Sequence, residues 1–236
     1  MARLPRLVVP YQLHHVIQRG IAGSNLFQDE LDYQFFYNAM VSAASQFKVA
    51  VHAYVLLPDH LHLLMTPGDS AGIARFMQWL GRSYVPYYNR KYQRTGTLWQ
   101  GRFRATVLEA KHYFIPSCIL IESHAQRSGL VNSASDYPWS SLAHHSGYKA
   151  DPLITDHPAY WGLGNTPFQR EAAYQEMLNF GLGRQQIQQL SQATHKSWAL
   201  GSAEFMVELE KLTSRRLSPA SRGRPKKAPI NSEIKE

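Results

Sequence analysis

The run Leu57-Pro58-Asp59-His60-Leu61-His62-Leu63-Leu64 restricts the fold more than any other stretch of this chain. Side chains alternate faces along a strand, so His60 and His62 project to one side while Leu61 and Leu63 project to the other. The leucines need a core on their face, which leaves the two histidines side by side on the opposite one. Two imidazoles so placed can share a divalent cation if another side chain closes the site. The same pattern also fits a strand end with two exposed or hydrogen-bonded histidines, because so short a motif recurs by chance.

The surrounding periodicities predict the frame. Gln12 to Arg19 alternates weakly and stops at Gly20, as a strand does. From Asp29 to about Phe47 the apolar residues Tyr33, Phe36, Tyr37, Met40 and Ala44 fall at helical spacing, with Asp29 or Asn25 available as the cap. Val49 to Leu57 is β-branched and apolar; Pro58-Asp59 interrupts it and His60 to Thr66 resumes, which predicts a hairpin. Ser70 opens a second helical pattern (Ile73, Phe76, Met77, Leu80, Tyr84) towards Tyr92. Phe103 to Leu108 reads as a strand, and Lys111 to Arg127 as a helix ending at Gly129. The order β-α-β-β-α-β with a further helix predicts an α+β, ferredoxin-like domain, an antiparallel sheet with helices on one face.

This domain is expected to occupy residues 1–148, the turn-rich stretch Asp136 to Ser141 packing back on it. Residues 149–212 then form a helical C-terminal extension, with helices over Pro167 to Asn179 and Arg184 to Thr194. Residues 213–236 form a basic tail whose composition predicts disorder. Lys211 to Lys227 contains no acidic residue, and Arg222-Gly223-Arg224-Pro225-Lys226 has the form of an AT-hook core, whose arginines enter a narrow minor groove, or of a plain basic tail.

With 25 Lys and Arg against 17 Asp and Glu, the formal charge is +8, which favours a polyanionic partner. The excess is concentrated. Between Arg82 and Arg104 every charged side chain is basic: Arg82, Arg90, Lys91, Arg94, Arg102 and Arg104. They are interleaved with Tyr84, Tyr87, Tyr88, Tyr92, Trp99 and Phe103. Cationic groups neutralise phosphates and aromatic faces stack on unpaired bases, so this mixture suits single strands or hairpin tips. Part of it also fits an aromatic helix core beneath a solvated basic face. The one cysteine, Cys118, excludes an intramolecular disulfide and points to a reducing compartment. No run is long enough to span a bilayer and the N-terminus lacks a secretory apolar core, so the expected location is cytoplasmic.

Three separated blocks carry a resemblance. Pro58-Asp59-His60-Leu61-His62, then Tyr92 to Phe103 with Arg94-Thr95-Gly96-Thr97-Leu98-Trp99-Gln100-Gly101-Arg102, then Asp136-Tyr137-Pro138-Trp139-Ser140-Ser141, resemble the IS200-like single-tyrosine transposases, and within them the REP-associated tyrosine transposases of bacteria. The resemblance implies a nuclease domain with an HUH metal site using Mg²⁺ or Mn²⁺. It implies action on hairpin-bearing single-stranded DNA through a 5′-phosphotyrosine intermediate, DNA transposition as the family activity, a nucleoid-associated protein acting as monomer or homodimer, and neither a membrane nor a small-molecule substrate. The basic-aromatic run itself points Arg82, Arg90, Lys91, Arg94, Trp99, Arg102 and Arg104 at DNA, and the AT-hook reading of the tail adds Arg222 and Arg224.

One block departs from the family. Where the family carries Tyr-Ile-Glu-Leu-Asn-Pro-Val-Arg-Ala-Gly, this chain reads Leu120-Ile121-Glu122-Ser123-His124-Ala125-Gln126-Arg127-Ser128-Gly129. Glu122, Arg127 and Gly129 keep the register, so the position of the nucleophilic tyrosine falls on Leu120, which cannot attack phosphorus. His124 takes the place of the asparagine beside the metal pair, as a third ligand with His60 and His62 or as a polar residue at a helix end. Tyr113, two turns earlier, reads as a core aromatic, and Cys118, on another face of the helix, as a small buried thiol. The resemblance thus implies a DNA-binding transposase with impaired or altered cleavage. The alternatives are a non-catalytic hairpin binder and a tyrosine-independent nuclease in which the cation activates water directly.

Overall fold

The computed structural model describes residues 6–21 and 24–219. Strand β1 (Leu13–Arg19) leads into helix α1 (Glu30–Phe47), strands β2 (Val49–Leu56) and β3 (His60–Pro67), helix α2 (Gly72–Lys91), strand β4 (Arg104–Leu108) and helix α3 (Ala110–Glu122). Asp29 caps α1 by accepting from the backbone N–H of Asp32. The four strands form an antiparallel sheet in the order β2-β3-β1-β4, the arrangement of a ferredoxin-like fold. Because β3 and β1 are central, their alternation is read against a core on each side.

On the first face, Val16, Leu61, Leu63 and Met65 are buried against Phe36 and Met40 of α1 and Ile73, Phe76 and Tyr84 of α2. On the second face, Leu13, Leu64 and Leu108 are buried against Phe114, Cys118 and Ile121 of α3. The expectation of helices on one face therefore holds for α1 and α2 only. The second face carries its own apolar cluster, and leaving it in water would forfeit that burial.

The predicted helix Lys111 to Arg127 is also broken. It stops at Glu122, and a separate turn, α4 (His124–Arg127), follows Ser123, whose hydroxyl donates back to the carbonyl of Ile119. Side-chain bonds of this kind compete with the helical ladder. Gly129, at φ +74°, ends the segment in the left-handed region, as the glycine predicted.

The extension continues the second core. Trp139 and Ser141 extend the β2 edge, with Leu56 donating to the Trp139 carbonyl and Ser141 to that of Tyr54. Short helices α5 (Leu142–His145) and α6 (Pro158–Trp161) precede the longer α7 (Pro167–Phe180), α8 (Arg184–Lys196) and α9 (Ala203–Leu212). The extension is tied to α3 by Glu122, a fully buried carboxylate that accepts from Ser141 Oγ, from His145 Nδ1 at 2.7 Å and from Tyr174 Oη. The beginning of the expected tail is packed as well. Leu217 is buried with Leu7, Val9, Val107 and Leu209, so the chain remains part of the fold past residue 213. Arg222 and Arg224 lie outside the described residues.

Two histidines away from the site carry a pH dependence. His14 accepts from the Val9 N–H through Nε2 and donates through Nδ1 to the Gln12 carbonyl; His52 donates to the Thr155 carbonyl and accepts from Thr66 Oγ1. Both rings are thus satisfied in their neutral forms, and burial pushes both down to about 4. Unfolded, these rings take up protons below about pH 6.5. The stability they contribute is complete above that value and is lost as pH falls from there to about 4. A thermal midpoint that declines over this window is expected, with a shallower decline in the His14→Gln/His52→Gln variant; a midpoint flat from pH 7 to 4 in the wild type would contradict it.

Candidate functional site

His60 and His62 stand on the second face of β3, and the break at Ser123 delivers His124 to them from α4. One nitrogen from each of the three rings lies within 4.8 Å of the others, the arrangement a shared cation requires. Ring centroids are 4.8 to 5.2 Å apart. His60 is oriented by its neighbour, Nδ1 lying 2.6 Å from Asp59 Oδ1. His62 is oriented from β1, its Nδ1 lying 2.8 Å from His15 Nε2. The opposite nitrogens, Nε2 of His60 and Nε2 of His62, are buried with no hydrogen-bond partner among the described residues. Buried polar atoms without partners are rare in folded proteins, and here two of them converge.

Electrostatics reinforces this placement. Burial, then the neighbouring imidazoles, holds His62 well below its ordinary value; burial and His60 push His124 down to about 3. Neutral rings keep the lone pair that a metal ligand needs. This donor set, with Nε2 unpartnered on His60 and His62 and burial favouring the neutral form of His62 and His124, therefore fits a divalent cation, with Asp59 and His15 supporting the rings behind it.

Leu120 faces the same place. With His15, His62, His124 and Arg127 it lines a cavity of about 60 Å³, and its side chain is almost wholly buried. An aliphatic group thus sits beside the histidines. Other candidate nucleophiles are elsewhere engaged. Tyr113 Oη accepts from Gln189, Tyr137 Oη donates to the Leu56 carbonyl, and Tyr148 lies exposed outside the cavity. Cys118 is fully buried, and burial raises its thiol far above the ordinary value, so it is inert.

Helix α8 forms the remaining wall, with Ser191, Thr194 and His195. It is fastened across β1 and β4: Thr106 Oγ1 donates to the Ala193 carbonyl at 3.0 Å, Arg104 donates to that of His195, and Thr194 Oγ1 lies 3.0 Å from His15 Nδ1. The sequence predicts the helix over Arg184 to Thr194 but places neither it nor His15 at the site. The position of His15 on the second face was available from the alternation of β1, since it shares a parity with Leu13. The arrival of Thr194, 179 residues away, had no local signal.

The basic run divides into groups with different surroundings. Arg82 and Arg102 line a cavity of about 740 Å³ with Arg6, Trp99 and Phe103. Arg102 and Arg104, with Arg19, Gln100 and His195, line a second cavity of about 260 Å³. The second cavity shares Ile17, Arg19 and His195 with the histidine cavity, so a basic path runs from the Trp99 loop to the histidines. The loop is held against the end of β1, Gln100 donating to the Arg19 carbonyl and Ile21 to that of Leu98. Gly96 and Gly101, at φ +85° and +71°, supply the turns it needs. Arg90 is exposed, and Arg94 lies over the Tyr88 ring. Lys91 behaves differently: its ammonium is held at 2.6 to 2.8 Å by Asp29 and the buried Asp32. Its charge is neutralised by acids 59 and 62 residues earlier, outside the acid-free run. Among the aromatics, Tyr84 and Tyr88 are core, whereas Trp99 is half-buried at the cavity wall.

Residues 9–115 match the family model described as "Transposase IS200 like". No curated protein matches the chain. Among solved structures, a REP-associated tyrosine transposase bound to a REP hairpin superposes with a TM-score of 0.51 at 17% identity, covering 66% of this chain and 92% of that one. A crystal structure of a candidate transposase from Deinococcus radiodurans R1 gives a TM-score of 0.34 at 21% identity, covering 49% of this chain and 94% of that one. The family match includes both strand histidines and the Trp99 loop and ends five residues before Leu120. Residues 9–115, which hold the histidine pair and the Trp99 loop, are thus similar to the IS200-like transposases.

Proposed function

We propose that this protein belongs with the REP-associated tyrosine transposases and binds hairpin-bearing single-stranded DNA, with a divalent cation at His60, His62 and His124 and without tyrosine-mediated cleavage. The observation that carries this reading is Leu120 lining one cavity with His62 and His124 at the end of an arginine-lined path. Arg19, Arg102 and Arg104 neutralise successive phosphates along that path, and Arg6, Arg82 and Trp99 offer cations and an indole face to an unpaired base. Held by the three imidazoles, Mg²⁺ or Mn²⁺ would supply Lewis-acid polarisation of a phosphodiester. The chain's own residues orient the strand and exclude bulk water, but Leu120 provides no atom that can bond to phosphorus.

Mn²⁺ is expected to raise the thermal midpoint of the wild type, because a ligand bound only by the folded state stabilises it. The rise should be smaller in His124→Ala and absent in His60→Ala/His62→Ala. An equal shift in all three proteins would remove the cation from this site.

Binding to a hairpin-bearing single strand should weaken steeply with salt. In the Arg102→Ala/Arg104→Ala variant, the slope of log affinity against log salt should fall by about one unit or less for each phosphate left without its cation. Identical affinity and slope would place the DNA elsewhere.

With a hairpin substrate and Mn²⁺, no protein–DNA adduct should be trapped in the wild type, whereas Leu120→Tyr, alone or with His124→Asn, should form one on the new phenol. An adduct in the wild type, mapped to Tyr113 or any other tyrosine, would contradict the loss of the nucleophile.

A further inference from the structure

Behind the three-histidine cluster runs a chain of side chains that no part of the proposed function uses. His62 Nδ1 lies 2.8 Å from His15 Nε2, His15 Nδ1 lies 3.0 Å from Thr194 Oγ1, and Thr194 Oγ1 lies 2.8 Å from the Leu190 carbonyl oxygen. His15 and Thr194 are buried, and each of these polar atoms already has a protein partner. We propose that His15 and Thr194 are positioning residues, forming a proton-ordered relay that locks His62 in the tautomer whose Nε2 lone pair faces the cluster.

The order of the protons follows from the far end. The Leu190 carbonyl can only accept, and a threonine hydroxyl has one hydrogen, which Thr194 gives to that carbonyl. Thr194 Oγ1 must then accept from its other buried neighbour, so the proton between it and His15 belongs to His15 Nδ1. A neutral imidazole carries one N–H, which leaves His15 Nε2 as an acceptor. His15 is buried and its two partners are Thr194 and His62, so no carboxylate sits against the ring to hold a second proton on it. The proton between the two rings therefore belongs to His62 Nδ1, and His62 Nε2 is left with its lone pair exposed to the cluster. That atom is one of the two in the cluster that are buried and without a partner among the described residues. The opposite order would put an N–H on His62 Nε2, aimed at the other histidines and useless to a cation.

The anchor of this relay comes from α8, outside residues 9–115, so the extension sets the protonation pattern inside that segment. The value of the lock for a cation rests on the proposed cation reading; the lock itself does not. Supporting groups of this kind typically change metal affinity by about 10–100-fold when removed.

Long-range ¹H–¹⁵N correlation of the imidazoles in the uniformly ¹⁵N-labelled full chain, at pH 7 without added metal, reads the tautomers directly. The wild type should show His62 and His15 both protonated at Nδ1. Thr194→Val removes the acceptor with little change of shape and should shift both rings towards a mixture, with Mn²⁺ affinity about tenfold or more weaker. Thr194→Ser should restore the wild-type pattern and affinity, which a purely packing role for Thr194 does not predict. Protonation of wild-type His62 at Nε2 would overturn the relay even if no variant folded. Unchanged tautomers and Mn²⁺ affinity in Thr194→Val would overturn it as well. Nδ1 protonation in a wild type that does not bind Mn²⁺ would support the relay and refute the cation reading.

Discussion

The two-residue alternation of β3 is the constraint on which the rest of the molecule depends. Leu61, Leu63 and Met65 enter one core while His60, His62 and Leu64 face the other side, and β3 is hydrogen-bonded along both edges. A slip of one residue would bury two imidazoles under α1 and α2 and place leucines opposite His124. Such a slip reverses every side chain of the strand at once, so the cost of removing three apolar residues from the first core fixes the register. The position of the site is thus set by hydrophobic burial on the face that does not contain it.

The second face has to satisfy two opposed demands. It must be covered, because it carries Leu13, Leu64 and Leu108, and it must leave room for three imidazoles and a route to them. Helix α3 covers the β2 side, and α8 covers the β1 and β4 side through bonds from Arg104, Thr106 and His15. Glu122 holds the intervening segment by accepting from three buried donors. A buried carboxylate is tolerated only when its lone pairs are occupied in this way. Its place in the sequence motif therefore has a structural reason: the residue that marks the register of the helix also joins the extension to it.

Most of the frame was legible because its signals are local. The period of two in β3, the helical spacing in α1 and α2 and the glycine stop at Gly129 each act within a few residues. The candidate site was legible as far as the histidine pair, and His124 and Leu120 came from the family register. What escaped depended on distant partners. Lys91 looked like one more free cation in an acid-free run, yet Asp29 and Asp32 reach it from the start of α1. Helix α3 ends at Glu122 although its apolar pattern continues beyond it. His15 and Thr194 meet across 179 residues, and nothing in either neighbourhood announces the other.

That separation also has a temporal side. Thr194 lies 70 residues after His124. A ribosome adding about 5–20 residues per second makes the last of the three cluster histidines roughly 4–14 s before it makes the hydroxyl that supports His15. During elongation, then, the nascent chain carries every imidazole of the cluster while the helix that closes its wall has yet to be translated. The order of synthesis thus places the wall of the cluster, in α8, after all three of its imidazoles.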